Sequence, residues 1–334
     1  MNFCVVGVGA VGGALAVRLS RLGCAVCAVV RGDHGNAIRQ NGLKLVSGNT
    51  EIVERVQCVE SIDALVHPPD VVVVAVKQNQ LPVLAAPLGK LTRAGSTLVF
   101  AMNGVPWWFA HELLLPNGSS LLNTIDPALV LSKLVGRERL VNAVVQSSNE
   151  VIAPGVILNT TPQRNRLRIG WIDSPDVDSK STLLDQLSMT LTAAGYETSL
   201  SSDVRRDIWN KMSLWLAVSP LAALLGRPLN ILVQDPQSRA FMVAIMREMV
   251  ALGRSLGFEG DDLVEEKIDF YFDKPTKPSI LKDVEMGRPL ELANCVMIFD
   301  EIVKKRGFSA PNIALVSALA RLRFGFPSIA ESPH

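Results

Sequence analysis

The chain has 334 residues and a mass of 36.1 kDa, too long for one ordinary α/β unit and comfortable for two domains. With 48% hydrophobic and 19% charged residues it can bury a large core, which excludes disorder as its main state. Its 33 basic and 32 acidic residues leave a net charge of +1, so there is no broad basic field to suit nucleic acid or an anionic membrane as a partner.

In chain order, residues 2–7 form a short apolar strand that ends in glycine. Residues 9–23 then show helical apolar spacing and stop at Gly23. Residues 24–31 make the next strand, and 42–47 with 51–61 suggest a small hairpin. The unbroken β-branched run at 70–77 marks a central parallel strand, covered on both faces. A helix over 80–91, despite Pro82 and Pro87, leads to a buried strand at 96–102. Residues 105–136 hold Trp107, Trp108, a turn at 116–119 and a helical-looking stretch. Strands are expected at 141–147, 156–158 and 167–170, a helix at 181–195 and a last strand at 196–200. Helical periodicity then takes over, at 203–225, 235–256, 261–272, 279–286, 289–305 and 312–324. The fold class is α/β: a doubly wound, Rossmann-type sheet over 1–202, then an all-helical domain over 203–334.

Mean hydropathy is +0.27, which raises the membrane question. The most apolar stretch, 212–226, is shorter than the roughly 18 to 20 residues of a span and is interrupted by Pro220, so it reads as buried core. With no leader before the first strand, the expected location is the cytoplasm and no membrane partner is expected. The five cysteines are odd in number and scattered, against a disulfide framework. Cys24 and Cys27 spell C-x-x-C, but on a strand their sulfurs would diverge. The histidines show no metal spacing, so no metal site is expected.

Gly7-Val8-Gly9-Ala10-Val11-Gly12 is G-x-G-x-x-G between a strand and an apolar helix. The first glycine permits the tight turn, the second lets backbone approach a pyrophosphate, and the third lets helix and strand pack closely. The helix N-terminus offers free N–H groups to the phosphates. Roughly 20 residues on, where NAD sites carry an acid for the ribose hydroxyl, stands Arg31, a cation suited to a 2′-phosphate. NADPH is therefore the expected cofactor, with Asp33 the dissenting residue. Lys77 and Asn103 end two parallel strands, where ligands collect. Lys77 suits cofactor phosphate, ribose or substrate; Asn103 suits the nicotinamide ribose and a substrate oxygen.

In the helical half, Lys211 stands in an apolar setting, with Trp215 and Ser219 on its face and Asp207 one turn before. Reducing a ketone leaves an alkoxide that must be stabilised and protonated. A partly desolvated ammonium does both; the plain alternative is a surface Asp207–Lys211 pair. Ser279 and Glu291 follow, readable also as a helix N-cap and a first-turn acid.

In order along nearly the whole chain, these segments resemble the ketopantoate reductase family: GVGAVG, the strand-end Arg31, VVAVKQ with Lys77, MNG with Asn103, APGV at 153–156, IWNKM with Lys211, and PSILKDVEMGRPLE with Ser279 and Glu291. The resemblance implies a Rossmann N-domain, a helical C-domain and NADPH-dependent reduction of a small 2-keto acid, 2-dehydropantoate, in pantothenate biosynthesis. It makes Lys211 the general acid and gives the substrate hydroxyl to Glu291, which also neighbours the cofactor. Asn103 and Ser279 orient the substrate. The family carries asparagines where this chain has Trp215 and Ser219, and only Asn230 approximates a further one; a common threonine is Leu290. Ser219 and Asn230 are thus the expected replacements in the substrate site. These departures, with Trp107 and Trp108, point to a more apolar pocket and, as a second reading, a branched or aromatic 2-keto acid. A dinucleotide-binding sensor without turnover is the other class, against which Lys211 and Glu291 argue. The apolar helical half suits a homodimer.

Overall fold

The computed structural model describes residues 1–111, 125–173, 178–259 and 262–325. The chain divides into two compact units: Met1–Asn103 with Val130–Val204, and Gly104–Leu129 with Arg205–His334. The chain crosses between them three times, the last time between Val204 and Arg205, and the described residues of 104–129 group with the helical half rather than with the first unit.

The first unit is built on an eight-stranded sheet. Its strands are β1 (Asn2–Val6), β2 (Ala25–Val29), β5 (Gln57–Val59), β6 (Val71–Val74), β7 (Thr97–Phe100), β8 (Leu140–Val145), β11 (Arg166–Trp171) and β12 (Glu197–Leu200), in the order β12-β11-β8-β7-β6-β1-β2-β5. All neighbours run parallel except β8 and β11. Every residue of β6 and β7 is buried, as central parallel strands require. From β1 the chain winds outward to β2 and β5, then returns to place β6 on the other side. The strand order therefore reverses at the carboxyl end of β1, the topological position where such sheets bind ligands.

A second sheet of four strands, β4 (Thr50–Glu54), β3 (Leu43–Ser47), β10 (Val156–Asn159) and β9 (Asn149–Ala153), is the expected hairpin joined by another. Helix α1 (Ala10–Arg21) packs against both sheets. A Cβ at Gly13 would meet Ile157 of β10 at 2.8 Å, so the glycine pair 12–13 lets α1 fit between two layers. Helix α2 (Gly32–Asn41) was not expected: its sequence is polar and only Gly35 and Ile38 are buried. The unit also holds α3 (Leu81–Arg93), with Pro82 in its first turn and Pro87 inside it, α4 (Val130–Leu134) and α5 (Asp178–Ala193).

The second unit is helical: α6 (Val204–Leu225), α7 (Leu229–Gln234), α8 (Pro236–Ser255), α9 (Val264–Asp269), α10 (Ser279–Glu285), α11 (Ile298–Arg306) and α12 (Pro311–Phe324). By length and composition α6 would suffice to cross a membrane, but 67% of its most apolar window is buried inside the protein, as in a core helix. Where the periodicity predicts one helix over 289–305, residues 289–291 are not helical. A π-helical turn, Ala293–Met297, then leads into α11. The core is aromatic. Phe109 stacks on Trp209 and Phe258, with centroids 6.5 and 5.5 Å apart, and Phe299 meets Trp209 edge-on at 5.7 Å. The Trp209 Nε1–H donates to the Met249 carbonyl at 3.0 Å.

Candidate active site

At the end of β1 each glycine has its own physical reason. Gly7 has φ +89°, and a Cβ there would lie 2.6 Å from Val76 and 2.8 Å from the Ala75 carbonyl. Only glycine lets this turn pass the end of β6. A Cβ on Gly12 would sit 2.1 Å from the Gly7 carbonyl oxygen, so α1 presses on the loop at its third residue. Gly9 is the opposite case: it is the N-cap of α1, no side chain caps the helix, and a Cβ there would meet nothing within 4 Å. The space beside Gly9 and the first-turn N–H groups of Ala10 and Val11 suit an anionic group. Val8 is buried, and Ala10 and Val11 are half-buried.

Arg31 is exposed and is the N-cap of α2, two residues past the end of β2. Asp33 lies in the first turn of α2, exposed, where the helix dipole favours an acid. Lys77 lies three residues past β6, half-buried, as N-cap of a short 3-10 turn, Gln78–Gln80; its N–H donates to Gln80 Oε1 at 3.3 Å. Asn103, half-buried, follows β7 and is the last residue of the first unit before the crossing.

In the second unit, Lys211 on α6 is half-buried and lies within electrostatic reach of Cys295 and Glu291. Burial lowers the Lys211 pKa to about 8, against the upward pull of Cys295 and Glu291. Cys295 is itself pushed well above the ordinary thiol range, first by burial and then by Glu291, with Lys211 opposing. The turn that carries Cys295 is held to the start of this unit. The Val105 N–H donates to the Asn294 carbonyl at 2.9 Å, and a Cβ on Gly104 would lie 2.1 Å from Asn294 Nδ2 and 3.0 Å from Cys295 Sγ. Sequence reasoning missed Asn294 and Cys295, because an apolar run at helical spacing hides a π-turn.

The remaining candidates separate. Ser219 is buried on α6, two turns beyond Lys211, with Trp215 half-buried between them. Asn230, on α7, has a buried Oδ1 without a hydrogen-bond partner. Ser279 is exposed and is the first residue of α10; Pro278 takes the N-cap, so Ser279 is not the cap its sequence allows. Trp107 and Trp108, expected in an apolar pocket, are both 0% exposed. Both lie on the 3-10 turn Trp107–His111, where Trp108 meets Phe109 edge-on at 5.8 Å, so neither faces an open pocket. Among the described residues, no group of three or more His, Cys, Asp or Glu could hold a metal.

Two family models match the chain: "Ketopantoate reductase PanE/ApbA" over residues 3–107 and "Ketopantoate reductase PanE/ApbA C terminal" over residues 203–323. The 2-dehydropantoate 2-reductase of Mesorhizobium japonicum is 31% identical over 323 residues, covering 96% of this chain and 97% of that protein. A candidate ketopantoate reductase from Ralstonia solanacearum MolK2, solved as a crystal structure, is 29% identical and covers 97% of this chain and 98% of its own, with a TM-score of 0.87. A D-mandelate dehydrogenase solved with NADH and anilino(oxo)acetate shares the fold at a TM-score of 0.82. It is 17% identical over 97% of this chain and 98% of its own.

Proposed function

Because this oxidoreductase belongs to the ketopantoate reductase family, we propose that it is a cytoplasmic, NADPH-dependent reductase of a 2-keto acid, with 2-dehydropantoate as substrate and pantoate as product. The observation that carries the chemistry is Lys211, an ammonium tuned to about 8 beside Glu291. When bound, the cofactor supplies a hydride.

Within the first unit, Gly7, Val8, Gly9, Ala10, Val11 and Gly12 would hold the pyrophosphate at the α1 N-terminus. The room beside Gly9 fits that group. Arg31 would hold the 2′-phosphate, and Lys77 and Asn103 the rest of the dinucleotide. Lys211 donates to the keto oxygen and delivers a proton as negative charge develops there. Glu291 keeps Lys211 charged, binds the substrate hydroxyl and neighbours the cofactor. Asn103 and Ser279 orient the substrate, with Ser219 and Asn230 completing its polar contacts.

A branched or aromatic 2-keto acid is the second reading. It is favoured by Trp215 beside Lys211 and by the aryl keto acid analogue in the mandelate dehydrogenase of the same fold. Trp107 and Trp108 give it no support. NADPH absorbance decay with 2-dehydropantoate and a panel of branched and aryl 2-keto acids decides. The first reading requires the highest kcat/KM for 2-dehydropantoate, and a higher value for an aryl acid replaces it with the second. Cofactor binding with no turnover of any keto acid would return the chain to the sensor class. A homodimer, the state that a Staphylococcus aureus ketopantoate reductase of this fold is described in, is read by light scattering.

A further inference from the structure

Three elements of the first unit meet at His34, which none of the roles above uses. His34 is the third residue of α2, three positions after the N-cap Arg31. Its Nδ1 accepts the Gly155 N–H at 3.0 Å, across 121 residues of sequence. Gly155 forms the tip between β9 and β10 and has φ +76°. A Cβ there would lie 3.4 Å from Ala37 Cβ and 3.6 Å from the Gly42 carbonyl oxygen, so the tip is seated along α2. Its carbonyl in turn accepts the Lys44 N–H at 2.9 Å.

The His34 ring also lies within reach of the Val8 backbone in the glycine loop. Nε2 is buried and lacks a hydrogen-bond partner. Burial lowers the His34 pKa, and the Val8 carbonyl partly offsets it. A ring that accepts at Nδ1 carries its neutral-form proton on Nε2, the side on which a carbonyl is favourable. The first turn of α2 closes over the same residues: the Arg31 carbonyl accepts the Gly35 N–H at 3.3 Å. A tether at His34 is therefore a tether on the backbone of Arg31. Arg31 is exposed, and a long side chain loses less freedom on binding when its base is already fixed.

We propose that His34 is a positioning residue for the dinucleotide's 2′-phosphate: by accepting the Gly155 N–H it clamps the first turn of α2 and holds Arg31 in place for that phosphate. This rests on the reading of Arg31 given above. Calorimetric titration of the full chain with NADP⁺ and with NAD⁺ tests it, on variants first shown to melt cooperatively. His34→Leu should weaken NADP⁺ by about tenfold, what one lost hydrogen bond of ~1.4 kcal/mol produces, and NAD⁺ by less than about twofold. His34→Asn, whose side chain keeps an acceptor near the place of Nδ1, should recover most of the loss. If His34→Leu does not fold, His34→Gln, with its acceptor one methylene too far, carries the same expectation. Equal weakening of both dinucleotides, or of neither, overturns the clamp. Arg31→Ala separates the two layers. If it abolishes the preference for NADP⁺ and the His34 variants do not lower it, the clamp alone fails. If Arg31→Ala leaves the preference intact, the reading of Arg31 fails first.

Discussion

Gly104 lies against Asn294 so closely that a Cβ on it would come within 2.1 Å of the Asn294 side-chain amide. The contact joins the first residue of the second unit to the π-turn carrying Cys295, just after Glu291. Gly104 also has φ +84°, where an L side chain is strained. Gly104→Ala should therefore cost about 1–3 kcal/mol from its backbone conformation alone, and the displaced turn should lower kcat by moving Glu291. Urea unfolding and initial rates check both. Wild-type stability with wild-type kcat would remove Gly104 from any role in setting the site.

Lys211 should lose about 10²-fold or more in kcat on replacement by alanine, as expected of a lost general acid. Its pH dependence follows from its pKa, lowered by burial to about 8. The acid works only while protonated, so kcat/KM should hold below that value and fall as pH rises through it. Glu291 and Cys295 both raise the Lys211 pKa when negative, but burial keeps Cys295 a neutral thiol well above its ordinary range. Glu291 is then the charge that acts near neutral pH. Glu291→Gln should move the alkaline limb to lower pH, and Cys295→Ser should leave it in place. A pH–rate profile in which Cys295→Ser shifts the limb and Glu291→Gln does not would reverse this assignment.

The glycine loop and the parallel sheet were legible in the sequence because both rest on local signals. A strand ending in Gly7 and a continuous valine run at 71–74 need no distant partner to be read. Other features depend on partners far along the chain. The described residues of 104–129 group with the helical half, where the aromatic turn holding Phe109 packs on Trp209, about a hundred residues later, and no local period records that. Helix α2 has too few buried residues to show an apolar face. The π-turn at 293–297 hides inside an apolar run, and Cys295 and Asn294 become visible only once Lys211 and Gly104 stand beside them. Trp107 and Trp108 are fully buried, which the sequence did not show, because a tryptophan pair reads the same in a pocket and in a core.

Gly9 and Gly12 divide what the loop does between binding and folding. A methyl on Gly9 meets nothing within 4 Å, and its φ of −80° suits alanine. Gly9→Ala should fold, losing only the modest preference of an N-cap for glycine over alanine, and weaken the dinucleotide by about tenfold or more, because the methyl takes the phosphate's room. A methyl on Gly12 would lie 2.1 Å from a backbone oxygen that cannot turn aside. Gly12→Ala should lose stability first, with its melting temperature reduced in the absence of any cofactor. Thermal melts with and without NADP⁺, read beside calorimetry, tell the two apart. A stable Gly12→Ala chain with intact affinity would mean that α1 can move off β1.

Glu248 offers a test of stability away from the chemistry. From α8 its carboxylate accepts the Asn312 and Ile313 N–H groups at 3.0 and 2.8 Å, capping α12 where that helix has no side-chain cap of its own. Two otherwise unpaired donors and the positive end of the helix dipole are satisfied by one negative charge. Glu248→Ala should cost about 1–2 kcal/mol, the usual worth of a lost helix cap. Glu248→Gln, which keeps an acceptor but not the charge, should cost less. Because the contact ties α12 to α8 and includes no residue of the proposed site, kcat per folded molecule should be unchanged in both variants. Urea midpoints, with kcat measured well below them, decide the point. A fall in kcat without a fall in stability would mean that the α8–α12 contact reaches the catalytic residues.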